Sequence, residues 1–435
     1  MLHPINIGIL GLGTVGTGTI QVLQRNAEEI SRRAGRAIHI TRIAGRHSDN
    51  AKRYVGPEVE VSEDLYSVID DPNIDIVVEL IGGTTTAREI VLAGIAQGKH
   101  VVTANKALLA LHGNEIFARA QEKAVMVAFE AAVAGGIPII KTLREGLTAN
   151  RIEWIAGIIN GTSNYILSEM RSKGVSFAQA LAAAQALGYA EADPTFDIEG
   201  QDAAHKLTIM AAIAFGIPMQ YDKAYLEGIS QLQSQDIRYA EELGYRIKLL
   251  GITRRTKKGV QLRVHPTLIK QEKLIANVEG VMNAVLVKGD AIGQALYYGA
   301  GAGAEPTASA VVADIVDITR LHTADPEHRV PHLAFQPSAL SHVPILPIEE
   351  IETGAYLRLH AQDRPGVLAD VTRILADENI SIDAMLQKTP SAEGYADIII
   401  LTHLAIEKNI NCAINRIEAL PSIHGSVIRL RAEIL

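Results

Sequence analysis

A short aliphatic run, Ile5–Leu10, passes without a spacer into Gly11-Leu12-Gly13-Thr14-Val15-Gly16, and apolar residues then recur at Ile20, Leu23, Ala27 and Ile30. The run has the length and branching of a buried strand, and the recurrence has the spacing of a helix. A strand that turns into a helix through three glycines has few ways to fold. Gly11 allows the tight turn, Gly13 lets the backbone approach a pyrophosphate, and Gly16 lets the helix pack closely on its strand. Thr14, Val15 and Gly16 open that helix, where free N–H groups and a partial positive charge face the phosphates. The glycine pattern alone is a weak signal, but in this strand–turn–helix setting it predicts a dinucleotide-binding fold.

The pattern continues down the chain. Strands are expected at 38–44, 74–81, 99–103 and 125–129, with helices at 84–97 and 107–123 between them. Such alternation predicts an α/β domain, a Rossmann-type doubly wound parallel sheet over residues 1–135. A helix at 306–321, after the glycine-rich stretch that ends at Gly303, completes it with residues 303–322. Residues 136–302 read as an α+β substrate-binding, catalytic and dimerisation domain. Its expected strands are 151–159, 260–269 and 283–288, and its expected helices 163–171, 176–187, 199–215 and 240–249. Residues 323–350, rich in Pro and His, read as a linker. Residues 351–435 read as a self-contained unit of order β-α-β-β-α-β, the ferredoxin-like arrangement. Val367, Val371, Ile374 and Leu375 form one buried helical stripe there, and Ile406, Ile410, Ile414 and Ile417 the other.

Composition narrows the function classes. At roughly 150 residues per domain, 435 residues predict about three domains. The net charge of -8 argues against nucleic acid or an anionic membrane surface as partner. No apolar run reaches the roughly 18–20 residues of a membrane span, and the first residues lack the pattern of a signal peptide. The single cysteine, Cys412, can make neither an internal disulfide nor a zinc cluster, so a reducing cytoplasm is the expected setting.

Three further groups of residues point to chemistry. The second strand ends in Ala44-Gly45-Arg46-His47-Ser48. NAD enzymes usually carry Asp or Glu there for the ribose hydroxyls. Arg46 would instead clamp the 2′-phosphate of NADP, so NADP is the expected cofactor and NAD the alternative; the bland reading is a solvated surface arginine. Thr103-Ala104-Asn105-Lys106 follows another strand, and Lys106 would point into the ligand crevice of an open sheet or simply into water. Asp202 and Lys206 share one helix face. Such pairs usually sit at the surface, but this one runs directly into Leu207-Thr208-Ile209-Met210, which predicts a half-buried charge pair. A zwitterionic substrate needs carboxylates for its ammonium and cations for its carboxylate and developing oxyanion.

Taken in order over the first 320 residues, these motifs resemble homoserine dehydrogenase. The resemblance is carried by Gly11 to Gly16, Glu79-Leu80-Ile81-Gly82-Gly83, Thr103 to Lys106, Asn160-Gly161-Thr162-Ser163-Asn164-Tyr165-Ile166-Leu167 and the stretch Gly188 to Lys206. The stretch from Asn160 to Leu167 and the Asp202/Lys206 pair are specific to that family; the glycine fingerprint is not. The resemblance implies NAD(P)-dependent interconversion of L-homoserine and L-aspartate 4-semialdehyde. It implies that Lys206 and Lys106 are the catalytic lysines, that Glu191 and Asp202 bind substrate, and that Lys106, Gly188 and Gly303 lie near the cofactor. It further implies a sodium site at Glu130, Val133, Gly135 and Ile137, formed mainly by backbone carbonyls, and a homodimer or homotetramer. It gives His100 and His205 no role, and they are taken as structural. Asp363-Arg364-Pro365-Gly366-Val367-Leu368 resembles the strand-to-helix turn of an ACT domain. Asp363 and the helix start at Gly366 would then hold an amino-acid effector, threonine by pathway logic; the alternative is a purely structural dimerisation module. Two rival functions fit these residues less well. A semialdehyde dehydrogenase that forms an acyl phosphate needs a thiolate in the catalytic domain, and Cys412 lies in the C-terminal unit. A non-catalytic amino-acid sensor would have no use for the Lys106, Glu191, Asp202 and Lys206 set.

Overall fold

The computed structural model describes residues 3–46, 48–390, 392 and 394–435. Contacts divide the chain into two compact units. One comprises Met1–Gly161, Asp202–Asp222 and Val281–Val343; the other comprises Thr162–Gln201, Lys223–Gly280 and Pro344–Leu435. This grouping cuts across the linear division read from the sequence.

The first unit contains β1 (Ile5–Leu10), α1 (Thr14–Arg25), α2 (Ala27–Ala34), β2 (Ile38–Ala44), β3 (Glu60–Ser62), α3 (Tyr66–Ile69), β4 (Ile76–Glu79), α4 (Thr86–Ala96), β5 (His100–Thr103), α5 (Lys106–Glu122) and β6 (Val127–Ala128). The sheet order is β3-β2-β1-β4-β5-β6, and every neighbouring pair is parallel. The strand order reverses between β1 and β4, and ligands of open sheets bind outside the carboxyl ends of strands at such a point. Leu10, Glu79 and Thr103 are those ends.

One face of the sheet is built by Ile5, Ile7, Ile9, Ile43, Ile76 and Val78 packed against Ile20 and Leu23 of α1 and Val311 and Ile315 of the helix Ala304–Leu321. A Cβ at Gly18 would come within 2.7 Å of the Ala304 carbonyl oxygen, which is how closely that helix lies on α1. The single helix suggested by Ile20 to Ile30 is in fact two, broken at Asn26 (φ -111°, ψ 20°). β3 and α3 were not anticipated, because segments of three and four residues carry no period. Also in this unit, Ile152–Ile158 pairs antiparallel with Met282–Gly289, which pairs in turn with Gly293–Ala300.

In the second unit, the expected helix at 240–249 is a correction. The helix Ser234–Glu242 ends early, Gly244 (φ +81°) reverses the chain, and Tyr245–Arg255 is a strand paired antiparallel with Val260–Lys270. That strand is buried on both sides along its middle, so its residues do not alternate and a short apolar run looks the same in either conformation. The C-terminal strands follow the order Ile428–Ala432, Glu352–Gln362, Tyr395–Thr402, Ile382–Gln387, all antiparallel, with the helices Val367–Asp377 and Glu407–Glu418 packed over them.

This C-terminal sheet is not self-contained. Its edge strand Ile428–Ala432 pairs in parallel with Val260–Lys270 through Thr267 and Leu268. Arg431 joins the elements from inside: its Nε lies 2.8 Å from Glu407 Oε1 and its Nη1 2.6 Å from Glu227 Oε2. Asp236, fully buried, accepts from Tyr356 Oη (2.8 Å) and Arg358 Nε (2.6 Å). Among the described residues no helix is long and apolar enough to cross a membrane.

Candidate functional site

The glycines after β1 differ in what they do. Gly11 has φ +101°, and a Cβ on it would lie 2.5 Å from the Leu80 carbonyl oxygen. A Cβ on Gly16 would lie 2.1 Å from the Gly11 carbonyl oxygen. A Cβ on Gly13 would meet nothing within 4 Å, and Gly13 is the N-cap of α1. Gly11 and Gly16 are therefore required by the fold, whereas Gly13 leaves open the space in front of a helix N-terminus. Thr14, Val15 and Gly16 begin that helix, whose first turn holds no acidic residue. The cradle suits a pyrophosphate. A Cβ on Gly45 would lie 3.4 Å from Gly11, so Arg46, exposed, follows at the rim of this loop. His47 lies outside the described residues. Gly303 (φ +121°) is the N-cap of Ala304–Leu321.

The charge pair is more deeply set than its spacing suggested. The helix Gln201–Phe215 is buried from Asp202 to its end. Lys206 Nζ lies 2.7 Å from Asp202 Oδ2 and donates to the Ile159 carbonyl oxygen at 2.8 Å. Asn160 Nδ2 donates to the same Asp202 oxygen at 2.9 Å. Lys106 Nζ lies 3.0 Å from Asp202 Oδ1. One carboxylate thus bridges two lysines from different elements. Burial by itself would push the Asp202 carboxyl up; Lys206 and Lys106 outweigh it and hold the group well below the usual carboxylate range. The Asp202 side chain is 4% exposed and the Lys206 side chain 11%, but Lys106 is 35% exposed, so the set opens on one side. Lys106 is the first residue of α5, and Asn105 caps that helix by accepting the Leu108 N–H at 3.0 Å.

The remaining candidates are placed as follows. Gly188 (φ +75°) and Glu191 belong to the second unit, both exposed, and the Glu191 carbonyl oxygen accepts Gln185 Nε2 at 3.0 Å. Both Glu130 carboxylate oxygens are occupied, by the Ile140 and Lys141 N–H groups at 2.8 and 2.7 Å. Among the described residues no cluster of three His, Cys, Asp or Glu side chains is arranged to hold a metal. The segment from Glu130 to Ile137 nonetheless turns through Ala134 (φ +57°) and Gly135 (φ +48°), a path that reorients successive carbonyls. A monovalent cation held mainly by backbone oxygens fits that path.

At the C-terminal turn, Asp363 is exposed and accepts Gln387 Nε2 at 3.0 Å. The helix expected from Pro365 starts at Val367, with Gly366 (φ +94°) as N-cap, so Pro365 stands before the helix and not in its first turn. His100 accepts the Met126 N–H through Nδ1 at 2.9 Å, and burial pushes its pKa down to about 3. Burial likewise lowers His205 to about 4, edge-on to Tyr221. Both are neutral near pH 7, as structural histidines are. Asn160 opens the family-specific stretch, and its contact with Asp202 depends on chain folding that no spacing reveals.

Hydride transfer to or from a carbonyl carbon needs a dinucleotide cradle and a proton-carrying group fixed beside the carboxyl ends of the sheet. The first unit supplies both, which defines the class: a nicotinamide-dependent oxidoreductase. Comparison with known proteins agrees. Family models described as homoserine dehydrogenase, NAD binding domain, as homoserine dehydrogenase and as ACT domain match residues 11–130, 138–316 and 355–422. The homoserine dehydrogenase of Pseudomonas aeruginosa is 63% identical, with 99% of each chain covered, and that of Neisseria gonorrhoeae is 60% identical, with 100% of each covered. The crystal structure of a homoserine dehydrogenase from Thiobacillus denitrificans superposes with a TM-score of 0.95 at 69% identity, over 99% of this chain and 98% of that one. A hyperthermophilic archaeal homoserine dehydrogenase mutant in complex with NADPH superposes with a TM-score of 0.62 at 25% identity, over 73% and 98%. The chain belongs to the homoserine dehydrogenase family, with a C-terminal ACT domain. It interconverts L-homoserine and L-aspartate 4-semialdehyde with NAD(P) in the biosynthesis of threonine, methionine and isoleucine.

Proposed function

We propose that the Lys106–Asp202–Lys206 set carries the proton chemistry of this reaction, on the single observation that Asp202 holds two ammonium groups from different elements within 3.0 Å. The nicotinamide supplies or takes the hydride when bound. In the reductive direction negative charge builds on the aldehyde oxygen. Lys206, assisted by Lys106, gives that oxygen a proton and is left neutral. In the oxidative direction a neutral Lys206 takes the hydroxyl proton of homoserine. Asp202 orients both lysines and, with Glu191, receives the substrate ammonium. General acid help of this kind is worth about 10²–10⁴-fold, and positioning supplies much of the rest.

The cofactor is NADP in this reading. Gly11, Gly13, Thr14, Val15, Gly16, Gly188 and Gly303 approach it, and Arg46 meets the 2′-phosphate. Sodium rests on the carbonyls of Glu130, Val133, Gly135 and Ile137. Residues 1–135 with 303–322 serve the cofactor, 136–302 serve substrate and dimerisation in a homodimer or homotetramer, and 351–435 serve regulation beyond the 323–350 linker. Threonine binds at Asp363 and the Gly366 helix start, its carboxylate on backbone N–H groups and its ammonium on Asp363. Inhibition requires that threonine bind the less active arrangement more tightly. The cytoplasm is the expected compartment. Homoserine-dependent reduction of NADP and of NAD, with and without threonine and with sodium exchanged for a large organic cation, tests these assignments together. Faster turnover with NAD at equal saturation rejects the cofactor assignment. No threonine effect at millimolar levels makes the ACT domain a dimerisation module.

A further inference from the structure

Glu79 ends β4 and is fully buried. Its partners are neutral. Oε1 accepts the N–H groups of Ile81 (3.0 Å) and Gly82 (3.2 Å), and Oε2 accepts the Thr103 hydroxyl (2.6 Å). Burial pushes the carboxyl up, against the pull of those hydrogen bonds. A buried carboxylate with no cation partner among the described residues is costly, and its position shows what it holds.

On one side it fixes the loop after β4. Leu80, in that loop, donates its N–H to the Leu10 carbonyl oxygen at 2.8 Å and lies directly beneath Gly11. On the other side it fixes the end of β5. Thr103 Oγ1 accepts the Asn105 N–H at 3.0 Å, and Asn105 Nδ2 donates to the Gly83 carbonyl oxygen at 2.7 Å. Asn105 then caps α5, which begins at Lys106. Two loops at the switch point, one under the glycine turn and one leading to Lys106, are thus tied into a single frame by one side chain.

We infer that Glu79 is a positioning residue for the reaction: by tying the 81–83 loop to the Thr103–Asn105 cap, it fixes the start of α5 and so aims Lys106 at Asp202. The inference rests on the role given to Lys106 above. The direction of each hydrogen bond explains why a carboxylate is used. Thr103 donates its only hydroxyl proton to Glu79 while accepting from Asn105. A glutamine can accept from Ile81 and Gly82 with its oxygen, but its amide nitrogen cannot accept from Thr103. In Glu79→Gln the hydroxyl must turn away, and the frame opens at Thr103.

The test compares Glu79→Gln, Thr103→Val and Thr103→Ser, each alone and combined with Lys106→Ala, in the full chain. Readouts are kcat and KM for homoserine, NADPH affinity by fluorescence titration, and thermal midpoint. Glu79→Gln and Thr103→Val are each expected to lower kcat on the order of 10- to 100-fold, since misplacement by about 1 Å costs up to about 100-fold. KM and NADPH affinity should change little, and Thr103→Ser should retain most activity. On the Lys106→Ala background neither change should add a loss, because residues acting through one group are not additive. Full additivity on that background, or near-parental kcat in both Glu79→Gln and Thr103→Val, overturns the inference. If Glu79→Gln does not fold, the two Thr103 variants decide alone. A Lys106→Ala enzyme of near-parental activity instead rejects the role of Lys106, a separate result.

Discussion

Each unit of this enzyme buries a carboxylate between two cations, and the two sets are built for different ends. In the first, Asp202 is shared by Lys106 and Lys206. In the second, Glu407 is shared by Arg429 and Arg431, and it also accepts the Thr353 hydroxyl at 2.7 Å. Arg431 meets Glu407 with Nε at 2.8 Å and Nη2 at 3.1 Å, a two-point fork, and both side chains are 1% exposed. Burial alone would lower the Arg431 pKa, but Glu407 and Glu227 hold the guanidinium charged. A guanidinium keeps its proton at any pH an enzyme meets, whereas an ammonium can give one up. Burial of an ion set therefore does not mark a reactive centre. What distinguishes the first set from the second is lysine in place of arginine together with one open side.

The largest effect that could break this contrast is on turnover. Lys206→Ala is expected to lower kcat on the order of 10²–10⁴-fold with cofactor binding retained. Lys206→Arg sharpens the point: it keeps the charge beside Asp202 but cannot transfer the proton, so it should be nearly as inactive. An active Lys206→Arg enzyme would reduce the lysine to an electrostatic role.

The mirror experiment is Glu407→Ala, which leaves Arg429 and Arg431 to share Glu227 as their one remaining carboxylate partner. Removing one partner of a buried ion set costs about 3–5 kcal/mol. Denaturant titration should show that loss, while turnover of the enzyme that remains folded stays near the parental value. A stable variant with poor turnover would mean that the second set also serves the reaction.

A smaller effect is the pH dependence that a buried histidine gives the first unit. The folded-state pKa of His100 is depressed from 6.5 to about 3. The unfolded chain therefore takes up a proton that the native state refuses, so the stabilisation is complete above pH 6.5 and is lost as pH falls below it. At pH 5 the loss amounts to about 2 kcal/mol for this one residue. Thermal midpoints at pH 7 and pH 5 should differ accordingly, and the difference should shrink in His100→Gln, which keeps an acceptor for the Met126 N–H. An unchanged difference would assign the pH dependence to other groups.

The smallest expected effect is at the exposed Arg46. Arg46→Ala should weaken NADP binding about tenfold, the low end for a charge-assisted hydrogen bond, and leave NAD almost unchanged. Equal effects on the two cofactors would make it an ordinary surface charge.

The aliphatic strands β1, β4 and β5 are legible because parallel strands covered on both faces are continuous apolar runs, and β2 is legible from its alternating isoleucines. The same double burial hid Tyr245–Arg255, where Lys248 sits in mid-strand and donates to Asn164 Oδ1 at 3.1 Å. Asp202 and Lys206 could be paired from the sequence because four residues make one helix turn. Their meeting with Lys106 could not, since almost one hundred residues separate the lysine from the pair and only the fold closes that distance. Glu79 was visible in a motif, but its work lies in which atom donates to which, and a sequence carries no such information.

The parallel pairing of Val260–Lys270 with Ile428–Ala432 has a consequence during synthesis. The first of these strands leaves the ribosome long before the second, and chains fold largely from the N-terminus onward. Arg263 and Val264 already pair with Tyr225 and Leu226, but until the last strand is made the edge at Thr267 and Leu268 presents unpaired N–H and C=O groups, which is the situation that invites misdirected strand addition. The ACT domain therefore acts as the late-arriving cover of a sheet begun much earlier. Its loss would leave an open edge behind, and the shortened chain is expected to aggregate before any question of regulation arises.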